Sequence, residues 1–249
     1  GTVFVAGRKR VPIPAAGTTT VFTAFTCSSI GKLMGITLPG PHPRDRRTPP
    51  EIPDILESMS ETKHDLRKKL LEARATMSDD LRDTENAALI ANISYYLRSK
   101  QPQRVAAYVP SRTEPGGRML LDALSSEVPA VMLPLSLSDG RLDWALYEGP
   151  TSLVPGPYGI REPAGTRLGP EALNFCDLVI APALACTPEG YRLGKGGGYY
   201  DRALATGVKA TSLTMLYNGE IRQDIPVEEH DLPVNIIITP AGVRNLGKP

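Results

Sequence analysis

The chain has 249 residues, of which 41% are apolar and 22% charged, with a formal net charge of +1. That length and composition suit a soluble globular protein of one large or two small domains, and the near-neutral charge leaves no electrostatic footprint for nucleic acid. No apolar run approaches a membrane span, and Cys27, Cys176 and Cys186 are an odd set without CxxC spacing, which argues against a disulfide framework or a zinc site. The expectation is a cytoplasmic protein in a reducing compartment, with neither nucleic acid nor membrane as partner.

Residues 1–50 are rich in Thr, Gly, Pro and Arg, carry basic clusters at Arg8-Lys9-Arg10 and Arg44-Asp45-Arg46-Arg47, and show no sustained helix or strand period. They read as part of a poorly ordered extension, residues 1–60. Val21 to Ile36 is too interrupted by Thr, Ser, Gly and Lys for the apolar core of a signal peptide. A transit segment is one alternative. The sharper reading takes Met59 as the natural start and residues 1–58 as a vector-derived or upstream-translated extension.

From Lys63 the pattern turns regular. Leu66, Leu70, Leu71 and Ala73 recur at helical spacing with Lys63, Arg67, Lys68 and Arg74 around them, which predicts an amphipathic helix. Ser78 before Asp79-Asp80 predicts the N-cap of a second helix running through Ala87, Leu89, Ile90, Ile93 and Leu97. Lys63 and Arg67 stand at i,i+4, so both cations can face one anion, although a solvated basic face has the same spacing. A strand over Arg104–Val109, a helix over Gly117–Ser126 with Met119, Leu120, Leu121 and Leu124 inward, and a strand over Ala130–Pro134 form a βαβ unit. Leu142–Tyr147 alternates as an edge strand does. Asp177–Pro182, Ala210–Leu216 and Asn235–Thr239 read as further buried strands. Apolar strands alternating with helices predict a three-layer α/β/α domain over residues 61–245 around a mainly parallel open sheet.

After the strand at Asp177–Pro182 comes Arg192-Leu193-Gly194-Lys195-Gly196-Gly197-Gly198-Tyr199-Tyr200-Asp201-Arg202. Glycines in such density let backbone N–H groups approach an anion, and a helix starting near Tyr200 adds its positive end. The spacing matches neither a Walker A loop nor the GxGxxG fingerprint. Ligands in open α/β sheets bind at the carboxyl ends of the strands, where this loop falls.

The run Asp177–Pro182 followed by Gly190–Arg202 closely resembles the 5-formyltetrahydrofolate cyclo-ligase family. So do Lys63–Arg67, Tyr108–Glu114, Tyr158–Pro163 and Ile225–Asp231, in the family's order. The resemblance implies an ATP- and Mg²⁺-dependent ligase of one-carbon metabolism that closes 5-formyltetrahydrofolate to 5,10-methenyltetrahydrofolate, working as a monomer on small-molecule substrates. It implies that Lys63, Arg67 and the run Arg192, Leu193, Gly194, Lys195, Gly196, Gly197, Gly198, Tyr199 and Tyr200 bind ATP. Val109, Glu114, Lys195, Gly196, Gly197, Gly198 and Tyr199 would contact the folate, with Arg192, Lys195 and Tyr199 as catalytic residues. Asp201 and Asp231 match the Mg²⁺ positions, and carboxylate oxygens are what this hard ion prefers. Two departures bear on the pocket: Pro115-Gly116-Gly117 after Glu114, where the family has an apolar residue and a Thr, and Ala185–Glu189 in place of its Phe-Asp pair. A silent folate- or nucleotide-binding relative, and a different transferase on the same scaffold, are the alternatives.

Overall fold

The computed structural model describes residues 62–247. The expected extension over residues 1–60 and the expected start at Met59 lie outside them. Helix α1 (Lys63–Thr76) opens where Thr62 accepts a hydrogen bond from Asp65 N, and α2 (Asp79–Lys100) opens at the expected Ser78, whose hydroxyl accepts from Leu81 N. Acids in the first turn of α2 and Arg98 and Lys100 in its last suit the helix dipole.

The remaining elements are β1 (Arg104–Ala106), α3 (Leu120–Glu127), β2 (Ala130–Ser136), β3 (Leu142–Leu146), β4 (Leu153–Pro155), β5 (Arg161–Pro163), β6 (Leu178–Ile180), β7 (Ala185–Cys186), β8 (Arg192–Leu193), α4 (Tyr199–Leu204), β9 (Thr211–Met215), β10 (Ile236–Thr239) and β11 (Gly242–Asn245). Seven strands join in the order β11-β10-β9-β6-β1-β2-β3. Neighbours from β10 through β2 are parallel, and only the edges β11 and β3 run antiparallel.

Alternation along the strands divides the core. Val105, Val131, Leu133, Leu178, Ile180, Leu213, Met215, Ile236 and Ile238 bury one face beneath Leu89, Ile93 and Leu97 of α2 and Leu120, Leu121 and Leu124 of α3. Ala106, Met132, Trp144 and Val179 face the other way, against Ala172 and Leu173 of a 3-10 turn at Pro170–Phe175 and Ala203 and Leu204 of α4. This is the expected three-layer arrangement, with a second layer made of short turns. Helix α1 belongs to neither layer. Its Leu66 and Leu70 pack on Leu184, Ala185, Leu193 and Ile225, each burial stabilising the docked helix by about 2 kcal/mol.

Several sequence expectations are corrected. Leu71 is 40% exposed and Ala73 also faces solvent, because the buried side of α1 is the narrow seam Leu66, Leu70 and Arg74. Ala87 of α2 is exposed for the same kind of reason, lying off the seam of Leu89, Ile93 and Leu97. Arg74 is buried rather than solvated. Met119 is 56% exposed because Gly117–Met119 forms a 3-10 turn before α3 begins at Leu120. β1 stops at Ala106, beyond which the chain bends into the loop that carries Glu114. The hairpins β4–β5 and β7–β8 were not foreseen; strands of two or three residues are too short to show a period. No helix among the described residues is long and apolar enough to cross a membrane.

Candidate active site

The candidate side chains gather at the carboxyl ends of the parallel strands. β1 leads to Val109 and Glu114, β6 leads through the β7–β8 hairpin to the glycine loop, and the segment before β10 carries Glu228 and Asp231. The loop itself needs glycine at two points. Gly196 has φ +100° and Gly198 has φ +67°, and a Cβ on Gly198 would lie 2.6 Å from Arg202 Nη1. Gly198 is the residue before α4, so its left-handed turn aims the first helical residues, Tyr199 and Tyr200, into the site.

Helix α1 brings two cations to this loop. Arg67 Nε donates to the carbonyl of Gly194 at 2.9 Å. Lys63 Nζ lies 2.9 Å from Asp231 Oδ2 and 3.1 Å from Glu228 Oε1. Partial burial opposes the charge on Lys63, but the hydrogen bonds it donates to Asp231 and Glu228 outweigh it and hold the ammonium above its ordinary value. Burial likewise opposes the Asp231 carboxylate, and the Glu228 N–H and Lys63 win, keeping it below its ordinary value.

Arg192 leaves β8 with a nearly buried side chain, pairs with Asp201 and donates to Leu232 O at 3.3 Å. Leu193 is different from its neighbours in the loop: its side chain is in the α1 contact and its carbonyl accepts from Leu184 N at 2.7 Å. Lys195 crosses the site to Glu114, Nζ to Oε1 2.8 Å. Tyr199 Oη lies 3.3 Å from Tyr158 Oη, and the Arg202 guanidinium covers its ring at 5.4 Å from the centroid. Val109 is part-buried against the α2-side core.

The departure at Pro115-Gly116-Gly117 does not loosen Glu114. Its Oε2 accepts from Ser111 N at 2.7 Å, Tyr108 Oη donates to Pro115 O at 2.7 Å, and Gly116 N donates to Asn86 Oδ1 at 2.8 Å. Burial pushes the Glu114 carboxyl up, but Lys195 and the Ser111 N–H overcome it and hold it below the usual carboxylate range. A lowered folded value contributes stability that is present above the unfolded value and lost as pH falls through the folded one. Glu114→Gln therefore flattens the acid limb of a thermal-midpoint profile between about pH 3 and 5; an acid limb as steep as that of the unaltered protein would show that the pairing adds no stability.

Beneath the site lies a buried network that the sequence did not reveal. Arg74 Nε and Nη2 reach Glu220 Oε1 and Oε2 at 2.7 and 2.8 Å, and Nη2 also donates to Ala183 O at 2.8 Å. Glu220 Oε2 accepts from Tyr217 N at 2.8 Å, and Tyr217 Oη lies 3.1 Å from Glu114 O. One arginine thus ties α1, the entry to the glycine hairpin and the Glu114 loop together. Tyr158, Arg202 and Glu228 are the other site neighbours missed; all three stand inside motif stretches, and that was their only signal.

Asp201 and Asp231 each use one carboxylate oxygen on a cation, Arg192 and Lys63 respectively, which leaves the second oxygen for another ligand. No group of three or more His, Cys, Asp or Glu among the described residues forms a metal cluster. The spare carboxylate oxygens would suit Mg²⁺, which keeps waters and takes one or two carboxylates together with phosphate oxygens.

Comparison with known proteins bears on the family. The model of the 5-formyltetrahydrofolate cyclo-ligase family matches residues 59–240. A 5-formyltetrahydrofolate cyclo-ligase of Mycolicibacterium smegmatis is 35% identical over 185 residues, 72% of this chain and 94% of the relative. One from Escherichia coli K12 is 30% identical over 143 residues, 56% of this chain and 79% of the relative. The NMR structure of Aquifex aeolicus 5,10-methenyltetrahydrofolate synthetase aligns with a TM-score of 0.64 at 31% identity, over 75% of this chain and 94% of that one. With most of its length matched, and the matched stretch holding both α1 and the glycine loop, this chain belongs to the 5-formyltetrahydrofolate cyclo-ligase family.

Proposed function

We propose that this protein is an ATP- and Mg²⁺-dependent enzyme that converts 5-formyltetrahydrofolate to 5,10-methenyltetrahydrofolate with release of ADP and phosphate, as a monomer in the cytoplasm. The observation that carries the reading is the Lys195–Glu114 pair, 2.8 Å long. It joins the phosphate-type loop to a fixed, ionised carboxylate, so the cation that would attend the transferred phosphoryl group sits beside the group that would hold the pterin.

The chemistry accounts for the residue types. A formamide oxygen does not leave as hydroxide. Transfer of the ATP γ-phosphoryl group to that oxygen makes it a leaving group; N10 then attacks the formyl carbon, loses its proton, and phosphate departs with the oxygen. Such a reaction asks the protein for positioning and charge neutralisation. Lys63, Arg67, Arg192 and the N–H groups from Gly194 to Gly198 would hold the triphosphate. Lys195 would neutralise the transferred group, Tyr199 would hydrogen-bond the formyl or phosphoryl oxygen at the mouth, and Glu114 would accept from the pterin N–H groups beside Val109. Asp201 and Asp231 would hold Mg²⁺, which shields the phosphate charges when bound.

Mixing the protein with (6S)-5-formyltetrahydrofolate, ATP and Mg²⁺ should raise the near-ultraviolet absorbance of the methenyl product, and omitting either ATP or Mg²⁺ should abolish the rise. Binding of both ligands without product would instead identify a silent member of the family.

A further inference from the structure

Tyr199 and Tyr200 open α4 and both pack on the core cluster around Trp144, but their hydroxyls have different surroundings. Tyr199 reaches outward to Tyr158, while Tyr200 packs against both core clusters, the one with Tyr108 and Val109 and the one with Trp144. A side chain that touches the cores of both sheet faces lies over the carboxyl edge of the sheet. Its ring meets the Trp144 indole edge-on, centroids 6.3 Å apart and planes at 79°.

The hydroxyl of Tyr200 is buried and has no hydrogen-bond partner among the described residues, and Trp144 Nε1 shares that condition. An unpaired buried hydroxyl is destabilising. Phenylalanine would fill the same apolar space without that cost, so packing alone does not explain a tyrosine here. Burial pushes the phenol well above its ordinary value, the Glu114 carboxylate pushes it further, and Arg192 counters in part. The group therefore stays protonated, as a neutral donor within the field of both the Glu114 loop and Arg192.

We propose that Tyr200 is a folate-side residue rather than a triphosphate ligand: its buried hydroxyl, set between the Glu114 loop and the glycine loop, donates a hydrogen bond to a carbonyl oxygen of the bound reduced folate. The assignment rests on the folate reading given above. The competing occupant is a buried water shared by Tyr200 Oη and Trp144 Nε1, which would owe nothing to substrate.

Calorimetric titration of the unaltered protein and of Tyr200→Phe, once with (6S)-5-formyltetrahydrofolate alone and once with ATP and Mg²⁺, separates these cases. The folate dissociation constant should rise about 10-fold in the variant, the loss of one buried hydrogen bond. The ATP constant should stay within about twofold, and the thermal midpoint should hold or rise, because an orphan hydroxyl has been removed. Unchanged folate affinity overturns the proposal in favour of water, weakened ATP binding overturns it in favour of the triphosphate, and a lowered midpoint overturns it by exposing a structural partner. If the unaltered protein binds ATP but no reduced folate, the folate reading itself has failed, a result distinct from each of those.

Discussion

Arg192→Ala should lower turnover of 5-formyltetrahydrofolate by about 100-fold. The side chain is 3% exposed, and its guanidinium is fixed by Asp201 and by Leu232 O. A charge held this way needs no reorganisation when phosphate charge develops nearby, and preorganised donors in a site with little water are worth more than the same groups in solvent. Alanine removes the charge and the donor fork together. Arg192→Lys keeps the charge but not the fork, and should recover part of the rate. Steady-state kinetics with ATP and folate varied in turn would measure both variants. Near-normal turnover in the alanine variant would take Arg192 out of the site.

Glu220→Ala should be the most destabilising substitution among those considered, by about 3–5 kcal/mol, or a fall of about 10 °C in thermal midpoint. It leaves the Arg74 guanidinium, 2% exposed, without its bidentate partner and with only the Ala183 and Leu184 carbonyls and the Tyr217 ring, 5.6 Å from the cation. Replacing both members by apolar residues, as in Arg74→Met with Glu220→Leu, should restore much of the loss, since a buried pair often does little better than apolar side chains of its own volume. Calorimetric melting of the single and double variants tests this. A double variant no more stable than Glu220→Ala would show that the pair itself contributes.

The parts of this architecture that repeat at a local period were open to the sequence. The alternation of Val105 with Ala106, and of Leu178 with Val179, marks strands buried on both faces, and Ser78 marks the start of α2. The glycine loop was legible because its spacing is dense and its position after β6 follows from the sheet. What was not legible depends on partners far away in the chain. Arg74 carries the same i,i+4 signal as a solvated basic residue, and only Glu220, 146 positions on, turns it inward. Tyr199 and Tyr200 look alike in sequence, but in the helix that follows the left-handed turn at Gly198 the Tyr199 hydroxyl meets Tyr158 while the Tyr200 hydroxyl is buried. Met119 fits the apolar pattern of α3, but a 3-10 turn has a different period and points it to solvent.

The position of α1 bears on the order in which the molecule can mature. Leu66 and Leu70 dock on residues 184–225, Arg74 on Glu220, and Lys63 on Asp231, 168 positions away. During synthesis this helix is among the first of the described segments to leave the ribosome, yet its docking surface is among the last. The α2, α3, β1 and β2 unit can bury its own apolar side chains early, because its contacts are close in sequence, whereas closing loops of this length is slow. Lys63 and Arg67, the α1 cations proposed to face phosphate, are therefore delivered at the end of folding. An incompletely synthesised chain can hold much of the sheet and still have no nucleotide pocket, so the last segments of the protein act as the step that switches the site on.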